Sequence, residues 1–425
     1  MTGSVTELMA EAGHEQVVFV ADEPTGLRAV IAIHSTALGP SLGGIRFWRY
    51  DSEHDALVDV LRLSEAMSLK AAVAGLHQGG GKTVVMRDDP TAPRSEALLR
   101  ALGRAVEDLG GRYIAAEDMG ATPGDMNAIA LETRWVTGVD GPGGSGDPSP
   151  VTAFGVLQAM RAVMFELDGD RSLEGKRVVV QGVGHVGSHL AELLVQAGAS
   201  VGVADLAGDR VETLARAHGV DALSHDTVLQ EPCDVLAPCA LGAVLNAESV
   251  PRLRCRAVAG AANNQLLDDE DGDALAERRI LYAPDFVVSG GGVINIAEEF
   301  VGYDRERALA RTAGIEQTLG RVFALSRELG VPPARAAEAI ARRRIVEEGA
   351  GRRWRPGDPA AWTNGEPLRT LRPQPVESRS REGLPAPGSP PGLRGSGERP
   401  GGRAPGIPAP ERARPERKAC QAGLR

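Results

Sequence analysis

The stretch from Lys176 to Asp205 constrains the fold of this chain more than any other. It contains a buried strand (Lys176–Gln181), a GVGHVG turn, a helix (Ser188–Gln196) and a second strand (Ser200–Ala204) that ends at an acid. A strand, a GxGxxG turn, a helix and an acid after the next strand are typical of a dinucleotide-binding βαβ unit. The pattern predicts a Rossmann-type, doubly wound parallel sheet here.

The residues of the GxGxxG turn have separate predicted roles. Gly182 makes the turn, Gly184 lets the backbone approach a pyrophosphate, and Gly187 lets the helix pack closely on the strand. Backbone amides at the helix N-terminus are suitable donors for the phosphates. The other three residues of the turn are also expected to contact the cofactor: Val183, His185 and Val186. The His185 side chain itself is expected to be a surface group without a role.

The acid at the end of the second strand indicates which dinucleotide binds. Asp205 can accept hydrogen bonds from the adenine ribose hydroxyls, and its charge would repel a 2′-phosphate. The sequence therefore favours NAD over NADP.

Later segments extend the predicted sheet with strands at Cys233–Ala237, Ala257–Ala261 and Ile280–Ala283. In a doubly wound sheet, ligands bind at the carboxyl ends of the strands. Asn264 and a loop at 289–292 are therefore expected beside the nicotinamide and the substrate.

A second informative stretch runs from Met67 to Lys82 (MSLKAAVAGLHQGGGK). The glycines at 79–81 predict a sharp turn close to a ligand, because they lack a Cβ. Lys70 and Lys82 flank this region, and a lysine in a dry pocket or near another cation can act as a base. A P-loop is excluded, because the position that requires glycine is Leu76. Two surface lysines beside a loop remain the alternative.

The N-terminal third predicts strands, helices and two further candidate positions. Strands are predicted at 16–20, 27–34, 83–86 and 113–116, with helices at 51–69 (Ser52 as N-cap) and 95–109. The Gly43-Gly44 pair is interpreted either as a structural turn or as a ligand contact. Asp118 follows a strand, where a carboxylate is either a catalytic group or a helix cap.

Composition and charge exclude several classes of protein. The 425 residues contain 42% hydrophobic residues and carry a net charge of −10. Residues 351–425 have a net charge of +8, so residues 1–350 carry −18, which argues against nucleic acid as a partner. We expect no membrane span, no signal peptide, no metal site and no disulfide framework among the four cysteines, hence a cytoplasmic protein.

These observations predict an α/β protein with two domains and a cleft between them, the second domain being the Rossmann-type doubly wound sheet. The predicted parts are an N-terminal domain (1–145), a dinucleotide domain (146–292), helices that complete the body (293–349) and a disordered tail rich in Pro, Gly and Arg (350–425). The boundary lies within the Gly-rich linker Val139–Asp147, after which a helix with Pro150 in its first turn runs to about Glu166.

Together, these segments resemble the amino-acid dehydrogenases that act on glutamate, leucine, phenylalanine and valine, most closely the branched-chain group. The resemblance covers about residues 15–346 in unbroken order. It rests on the segments HSTALGPSLGGIRFW, LRLSEAMSLKAAVAGLHQGGGKTVV, YIAAEDMGATPGDM, SPVTAFGV, VVVQGVGHVGSHLA, CDVLAPCALGAVLN, VAGAANNQL and YAPDFVVSGGGVINIAEE. It implies oxidative deamination of a branched-chain L-amino acid, valine above leucine and isoleucine, to a 2-oxo acid, ammonium and NADH by a homo-oligomer. The resemblance also implies catalytic, substrate-binding and oligomerisation roles for the N-terminal domain (1–145).

The resemblance also implies roles for individual residues. Lys70 corresponds to the lysine that binds the substrate carboxylate, Lys82 to the catalytic lysine and Asp118 to the catalytic aspartate. Lys82, with its pKa lowered by nearby positive charge, would take a proton from the water that attacks an iminium, and Asp118 would relay protons.

Other site residues follow from the same resemblance. The side-chain pocket is expected from Leu42, Ala116, Val293 and Ile296, which offer no cation for a second carboxylate. Further substrate contacts are implied at Gly43, Gly44 and Ser289, and cofactor contacts at Thr152, Ala240 and Asn264.

Three positions depart from the family pattern. Ser289 and Asp147 each stand where asparagine is usual, and Ile45 stands where threonine is usual. Ser289, Asp147 and the C-terminal tail, which has no family counterpart, motivate one alternative: a catalytically weak NAD-binding relative with a regulatory or assembly role. A second alternative, a dehydrogenase that prefers phenylalanine, differs only in its substrate.

Overall fold

Two sheets organise the computed structural model, which describes residues 3–141, 143–349 and 354. The first sheet has five strands in the order β1-β2-β4-β3-β5, in which β1, β2 and β4 are antiparallel neighbours and β4, β3 and β5 are parallel. Its strands are β1 (Gln16–Asp22), β2 (Leu27–Ser35), β3 (Ser41–Trp48), β4 (Gly79–Met86) and β5 (Tyr113–Glu117). β3 is central to the site, because it places the end of β5 beside β4.

The second sheet is entirely parallel, with the order β11-β10-β9-β6-β7-β8. Its strands are β6 (Arg177–Gln181), β7 (Ser200–Ala204), β8 (Asp221–Ala222), β9 (Cys233–Pro238), β10 (Cys255–Val258) and β11 (Leu281–Tyr282). Counted from β6, this is the 3-2-1-4-5-6 order of the doubly wound dinucleotide fold. The predicted fold class is confirmed.

Helices cover the faces of both sheets. They are α1 (Val5–Ala12), α2 (Glu53–Val73), α3 (Glu96–Glu107), α4 (Pro123–Ile129), α5 (Ser149–Asp168), α6 (His185–Gln196), α7 (Gly208–His218), α8 (Asp269–Glu277), α9 (Asp285–Val288), α10 (Gly290–Ala297), α11 (Arg305–Ala313), α12 (Ile315–Leu329) and α13 (Pro333–Gly349). The Ser52 hydroxyl accepts a hydrogen bond from the Asp55 amide at the start of α2, as its position predicted. Among the described helices, none is long and apolar enough to cross a membrane.

The glycine-rich segments are strands, so the predicted turns are wrong. Gly79–Gly81 opens β4, and Gly43-Gly44 lies inside β3. A Cβ at Gly80 would overlap Ser68 of α2, and a Cβ at Gly43 would overlap the Gly81 carbonyl oxygen. Glycine is needed here because neighbouring backbone presses against the strands, not because the chain reverses.

Two more predictions of local structure need correction. The segment 289–292 is helical: α9 and α10 meet at Ser289, and α10 begins at Gly290. The helix after the GxGxxG turn begins at His185, three residues before the predicted start.

The Gly-rich linker is anchored to the later part of the chain through one buried carboxylate. Glu299 is 1% exposed and accepts hydrogen bonds from the Gly138 amide (3.1 Å), the Ser145 amide (2.8 Å) and the Ser145 hydroxyl (2.5 Å). These bonds tie the linker to the short turn after α10, where the chain returns from the second sheet.

One described residue, Trp354, lies beyond the predicted boundary at residue 349. Trp354 is 5% exposed, packs in the large hydrophobic core and lies edge-on to Trp135, with ring centroids 6.5 Å apart. The Trp354 side chain is therefore part of the hydrophobic core, although the predicted tail includes this residue. Residues 350–353 and 355–425 lie outside the described residues.

This contact predicts that two truncations differ in stability. Ending the chain after Gly349 removes Trp354 from the core, which should lower the melting temperature by about 5 °C or more, since deleting a buried Trp side chain costs about 3–5 kcal/mol. Ending it after Trp354 is the matched control and should leave the melting temperature at that of the full chain. Equal melting temperatures for both truncations, measured by circular dichroism, would contradict the contact.

Candidate active site

A cavity of about 240 Å³ lies where the carboxyl ends of β3 and β5 face the loops that follow β10 and β11. The predicted residues that line it are Gly44, Lys70, Lys82, Ala116, Asp118, Asn264, Val293 and Ile296. The residues that sequence analysis missed include Arg46, Leu63, Met67, Glu117, Asn263 and Asp285. The cavity thus has a charged end, an aliphatic wall and amide groups.

The charged end is built on a buried ion pair. Lys82, on β4, is 4% exposed, and its Nζ lies 2.8 Å from Oδ2 of Asp118, which follows β5. The same oxygen accepts a hydrogen bond from Nε of Arg46 at 3.0 Å. The alternative of a helix cap at Asp118 is wrong, because Thr122 caps the following helix, α4.

Burial and the neighbouring charges shift both pKa values. Burial lowers the pKa of Lys82, and the Arg46 cation lowers it further, while Asp118 acts in the opposite direction. The main cause is thus burial rather than the nearby positive charge that the sequence suggested. Burial also opposes ionisation of Asp118, but Lys82 and Arg46 outweigh it and bring the pKa of Asp118 down to about 2. A lysine with a lowered pKa therefore lies beside a carboxylate that stays ionised.

Lys70 lies on the last turn of α2 and reaches the other side of the cavity. Its Nζ donates to the Ser289 hydroxyl at 2.9 Å and to Oδ1 of Asn263 at 3.3 Å. Burial, with the charge of Lys82, lowers the pKa of Lys70 to about 8, against the opposing carboxylates of Asp285 and Asp118. The serine at 289 thus reaches Lys70 although the usual asparagine is longer.

The aliphatic wall contains three of the four predicted pocket residues, Ala116, Val293 and Ile296. The fourth, Leu42, is fully buried in the hydrophobic core. The neighbouring Gly43 is also structural, since its carbonyl accepts a hydrogen bond from the Tyr113 hydroxyl at 2.7 Å.

Two residues of α2 complete this wall. Leu63 and Met67 lie seven and three residues before Lys70, a spacing that places all three on one face of a helix. This periodicity was the signal that would have identified them.

The GxGxxG turn has room for a ligand at one of its three glycines. A Cβ at Gly182 would lie 2.7 Å from Cβ of Ala240, and one at Gly187 would overlap the Gly182 carbonyl oxygen. A Cβ at Gly184 would meet no protein atom within 4 Å. Packing thus explains the first and third glycines, and the open space at the second fits a backbone approach by a dinucleotide pyrophosphate.

A second cavity, of about 450 Å³, borders this turn. Val183, Gly184, His185 and Arg210 line it, together with Asp147. His185 is exposed, as predicted, although it borders the cavity. Asp147 accepts a hydrogen bond from the Ser149 amide at 2.9 Å, so the aspartate at this departure supports the start of α5.

Of the remaining cofactor candidates, Asn264 lines the first cavity, and Asp205 and Thr152 each bond to a residue that lines one of the two cavities. Asp205 accepts hydrogen bonds from the Val183 amide (2.7 Å) and the Ala207 amide (2.8 Å), so it also orders the turn. The Thr152 hydroxyl donates to the Pro148 carbonyl at 2.9 Å. Asn264 adopts a left-handed φ of 52° on the cavity wall. Val186 lies in the first turn of α6 and packs against the core.

The glycine geometry predicts a separation of binding from folding. Gly184→Ala should keep the wild-type melting temperature and weaken NADH binding about tenfold or more, because the new methyl group occupies the space for the pyrophosphate. Gly187→Ala should instead lower the melting temperature, since its Cβ overlaps backbone. Titration calorimetry and thermal unfolding measure the two effects. Undiminished NADH binding by Gly184→Ala would contradict the assignment of this space.

Comparison with known proteins matches two family patterns to this chain. The family described as Glu/Leu/Phe/Val dehydrogenase, dimerisation domain, matches residues 14–135. The family described as Glutamate/Leucine/Phenylalanine/Valine dehydrogenase matches residues 143–209 and 206–321.

Individual relatives agree with these matches. A leucine dehydrogenase of Thermoactinomyces intermedius is 47% identical over 342 residues, which cover 80% of this chain and 93% of the relative. A valine dehydrogenase of Streptomyces virginiae is 49% identical over 341 residues, covering 79% and 95%. Among solved structures, an L-tryptophan dehydrogenase from Nostoc punctiforme is 37% identical, with a TM-score of 0.73 and coverage of 81% of this chain and 99% of that one.

Proposed function

Since the chain belongs to the Glu/Leu/Phe/Val dehydrogenase family, we propose that it catalyses NAD-dependent oxidative deamination of a branched-chain L-amino acid, with valine preferred to leucine and isoleucine. The observation that carries this proposal is the cavity in which Lys70, Lys82 and Asp118 lie opposite an aliphatic wall. The products are the 2-oxo acid, ammonium and NADH.

Each residue of the charged end has a separate role in the proposed reaction. Lys70 binds the substrate carboxylate as a point charge, with the Ser289 hydroxyl and the Asn263 amide beside it. Lys82, buried and with a lowered pKa, removes a proton from the water that attacks the iminium carbon. Asp118 orients Lys82 and stabilises the proton that Lys82 takes up.

The nicotinamide would be held at the cavity by Asn264 and Thr152, with the pyrophosphate at the turn around Gly184. The bound cofactor would supply the acceptor for the hydride from C2 of the amino acid. NAD is preferred to NADP because the Asp205 carboxylate stands at the end of β7, where a 2′-phosphate would be repelled. Burial raises the pKa of Asp205, but hydrogen bonds from the Ala207 and Val183 amides, together with the neighbouring Arg210 and His225, outweigh burial and lower it.

The wall of the cavity supports an aliphatic side chain on the substrate. Ala116, Val293 and Ile296 offer only methyl and methylene groups, and Glu117 adds a carboxylate that would repel an acidic side chain. Arg46 is a cation in this cavity, but Asp118 and Asp59 neutralise it. Because valine, leucine and isoleucine differ by about one methylene, discrimination among them is worth only about 1–3 kcal/mol.

We further propose a homo-oligomer assembled through the first sheet. Residues 14–135 match a family described as a dimerisation domain. β1 is an edge strand of that sheet, and Phe19 on it is 45% exposed. Light scattering that gives the mass of a single chain at micromolar concentration would contradict this assembly.

A substrate panel tests the proposed reaction. The full chain should form NADH with valine, leucine and isoleucine at higher kcat/KM than with phenylalanine, tryptophan, alanine or glutamate, because the wall is aliphatic and of limited size. NADP in place of NAD should reduce kcat/KM about tenfold or more. Turnover highest with the aromatic amino acids would favour the bulky-substrate alternative, for which the tryptophan dehydrogenase neighbour provides support. If no amino acid in the panel gives NADH while NADH binding is intact, the result would favour a catalytically weak relative.

Substitutions of the two lysines should affect different kinetic constants. Lys82→Ala should abolish turnover, with kcat reduced about 1000-fold or more, and leave NADH binding unchanged, since it removes the base. Lys70→Ala should chiefly raise the KM for the amino acid, because it removes the carboxylate anchor. Lys176→Ala, which breaks a pair with Asp168 away from the cavity, is the control and should match the wild type. Near-normal kcat in Lys82→Ala would contradict the mechanism.

A further inference from the structure

A chain of charged and polar groups extends from the Lys82–Asp118 pair away from the cavity. Arg46, on β3, donates from Nε to Oδ2 of Asp118 at 3.0 Å and from Nη1 to Oδ2 of Asp59 at 3.2 Å. The Tyr50 hydroxyl donates to the same oxygen of Asp59 at 2.6 Å. The arginine thus connects the loop after β5 to α2, on which Asp59 lies.

The geometry of these charged and polar groups fixes the orientation of the Asp118 carboxylate. Nζ of Lys82 and Nε of Arg46 both approach one oxygen, Oδ2, from β4 and β3 respectively. Gly44, two residues before Arg46 on β3, also lies against Asp118, because a Cβ at Gly44 would lie 2.5 Å from Cβ of Asp118. The side chains of Arg46 and Asp59 are 19% and 20% exposed, so water competes little for these contacts.

We propose that Arg46, itself held by Asp59 and Tyr50, is a positioning residue that orients the Asp118 carboxylate toward Lys82 and sets the charge balance around the catalytic lysine. This inference rests on the proposed function, since it assigns Arg46 a part in the same reaction. Arg46 acts through Asp118 and Lys82 rather than on the substrate.

Several charged and titratable groups surround Lys82. Asp118 faces it from the end of β5, Arg46 from β3, and Asp59 from α2. Lys70, also on α2, interacts with both Lys82 and Asp118, and the Tyr113 hydroxyl on β5 lies near Asp118. Arg46 and Asp59 carry opposite charges and therefore act on the pKa of Lys82 in opposite directions, Arg46 lowering it and Asp59 raising it.

Because Arg46 and Asp59 act in opposite directions on the pKa of Lys82, substitutions at the two positions should shift the pH profile in opposite directions. A loss of structure alone would not produce opposite shifts. Arg46→Met removes a like charge from Lys82, so the acid limb of kcat/KM for valine should move to higher pH by about one unit. Asp59→Asn removes an opposite charge from the surroundings of Lys82, so the acid limb of kcat/KM for this variant should move to lower pH. Misplacement of Asp118 in Arg46→Met should also lower kcat by about 100-fold, and Arg46→Lys should restore the wild-type limb while recovering only part of kcat.

A matched control is available in the same domain. Arg94 forms a two-pronged pair with Asp125, at 3.1 and 2.8 Å, with side chains 12% and 10% exposed, and neither residue contacts Asp118. Arg94→Met should lower the melting temperature without moving the acid limb. The proposal is overturned if Arg46→Met and Asp59→Asn leave the limb in place or move it in the same direction.

A second readout separates this proposal from the proposed function. The rate at which trace acetic anhydride labels Lys82, followed by mass spectrometry across pH, reports its protonation without turnover. If the wild type has no activity with any amino acid, the proposed function fails, while opposite shifts of the labelling midpoint in Arg46→Met and Asp59→Asn still support the positioning role. Unchanged midpoints in both variants overturn the positioning role even if the wild type is active.

Discussion

The buried contact between Lys82 and Asp118 is the interaction on which the rest of the cavity depends. A lysine that is 4% exposed is costly unless a carboxylate lies within hydrogen-bonding distance, as Asp118 does at 2.8 Å. That distance requires β3 to bring β4 and β5 close together, and Gly43 and Gly44 permit the approach because any side chain there would overlap Gly81 or crowd Asp118. The contact between Lys82 and Asp118 therefore requires glycine at these positions of β3 and β4.

The two lysines of the cavity share a lowered pKa but differ in surroundings. Lys82 is paired directly with a carboxylate, whereas Lys70 donates to the neutral oxygens of Ser289 and Asn263. A lysine with neutral partners can exchange them for an incoming carboxylate, while a lysine held by Asp118 is kept in place for proton transfer. Different environments for groups of one type are how a site divides acid, base and binding roles.

Local patterns predicted most of the fold. The βαβ unit at 176–205 and the cap at Ser52 depend on neighbours a few residues away, and these predictions succeeded. Several failures involve contacts between separate elements: Gly80 needs glycine because of Ser68 on α2, and Gly43 needs it because of Gly81 on β4. Arg46 was missed for the same reason, since Asp118 lies 72 residues away. The roles predicted for Lys70, Lys82 and Asp118 came from the family resemblance, because no spacing alone indicates them.

The central claim is that an amino acid binds in this cavity between Lys70 and Lys82, and that the hydride on its C2 is transferred to the nicotinamide cofactor. The most direct test is to incubate the full chain with NAD and valine that carries deuterium at C2, and to analyse the recovered nicotinamide cofactor by mass spectrometry. The account predicts one deuterium on the reduced cofactor for each 2-oxo acid formed. Formation of the 2-oxo acid with the deuterium released to water, or no reduced cofactor at all, would contradict it.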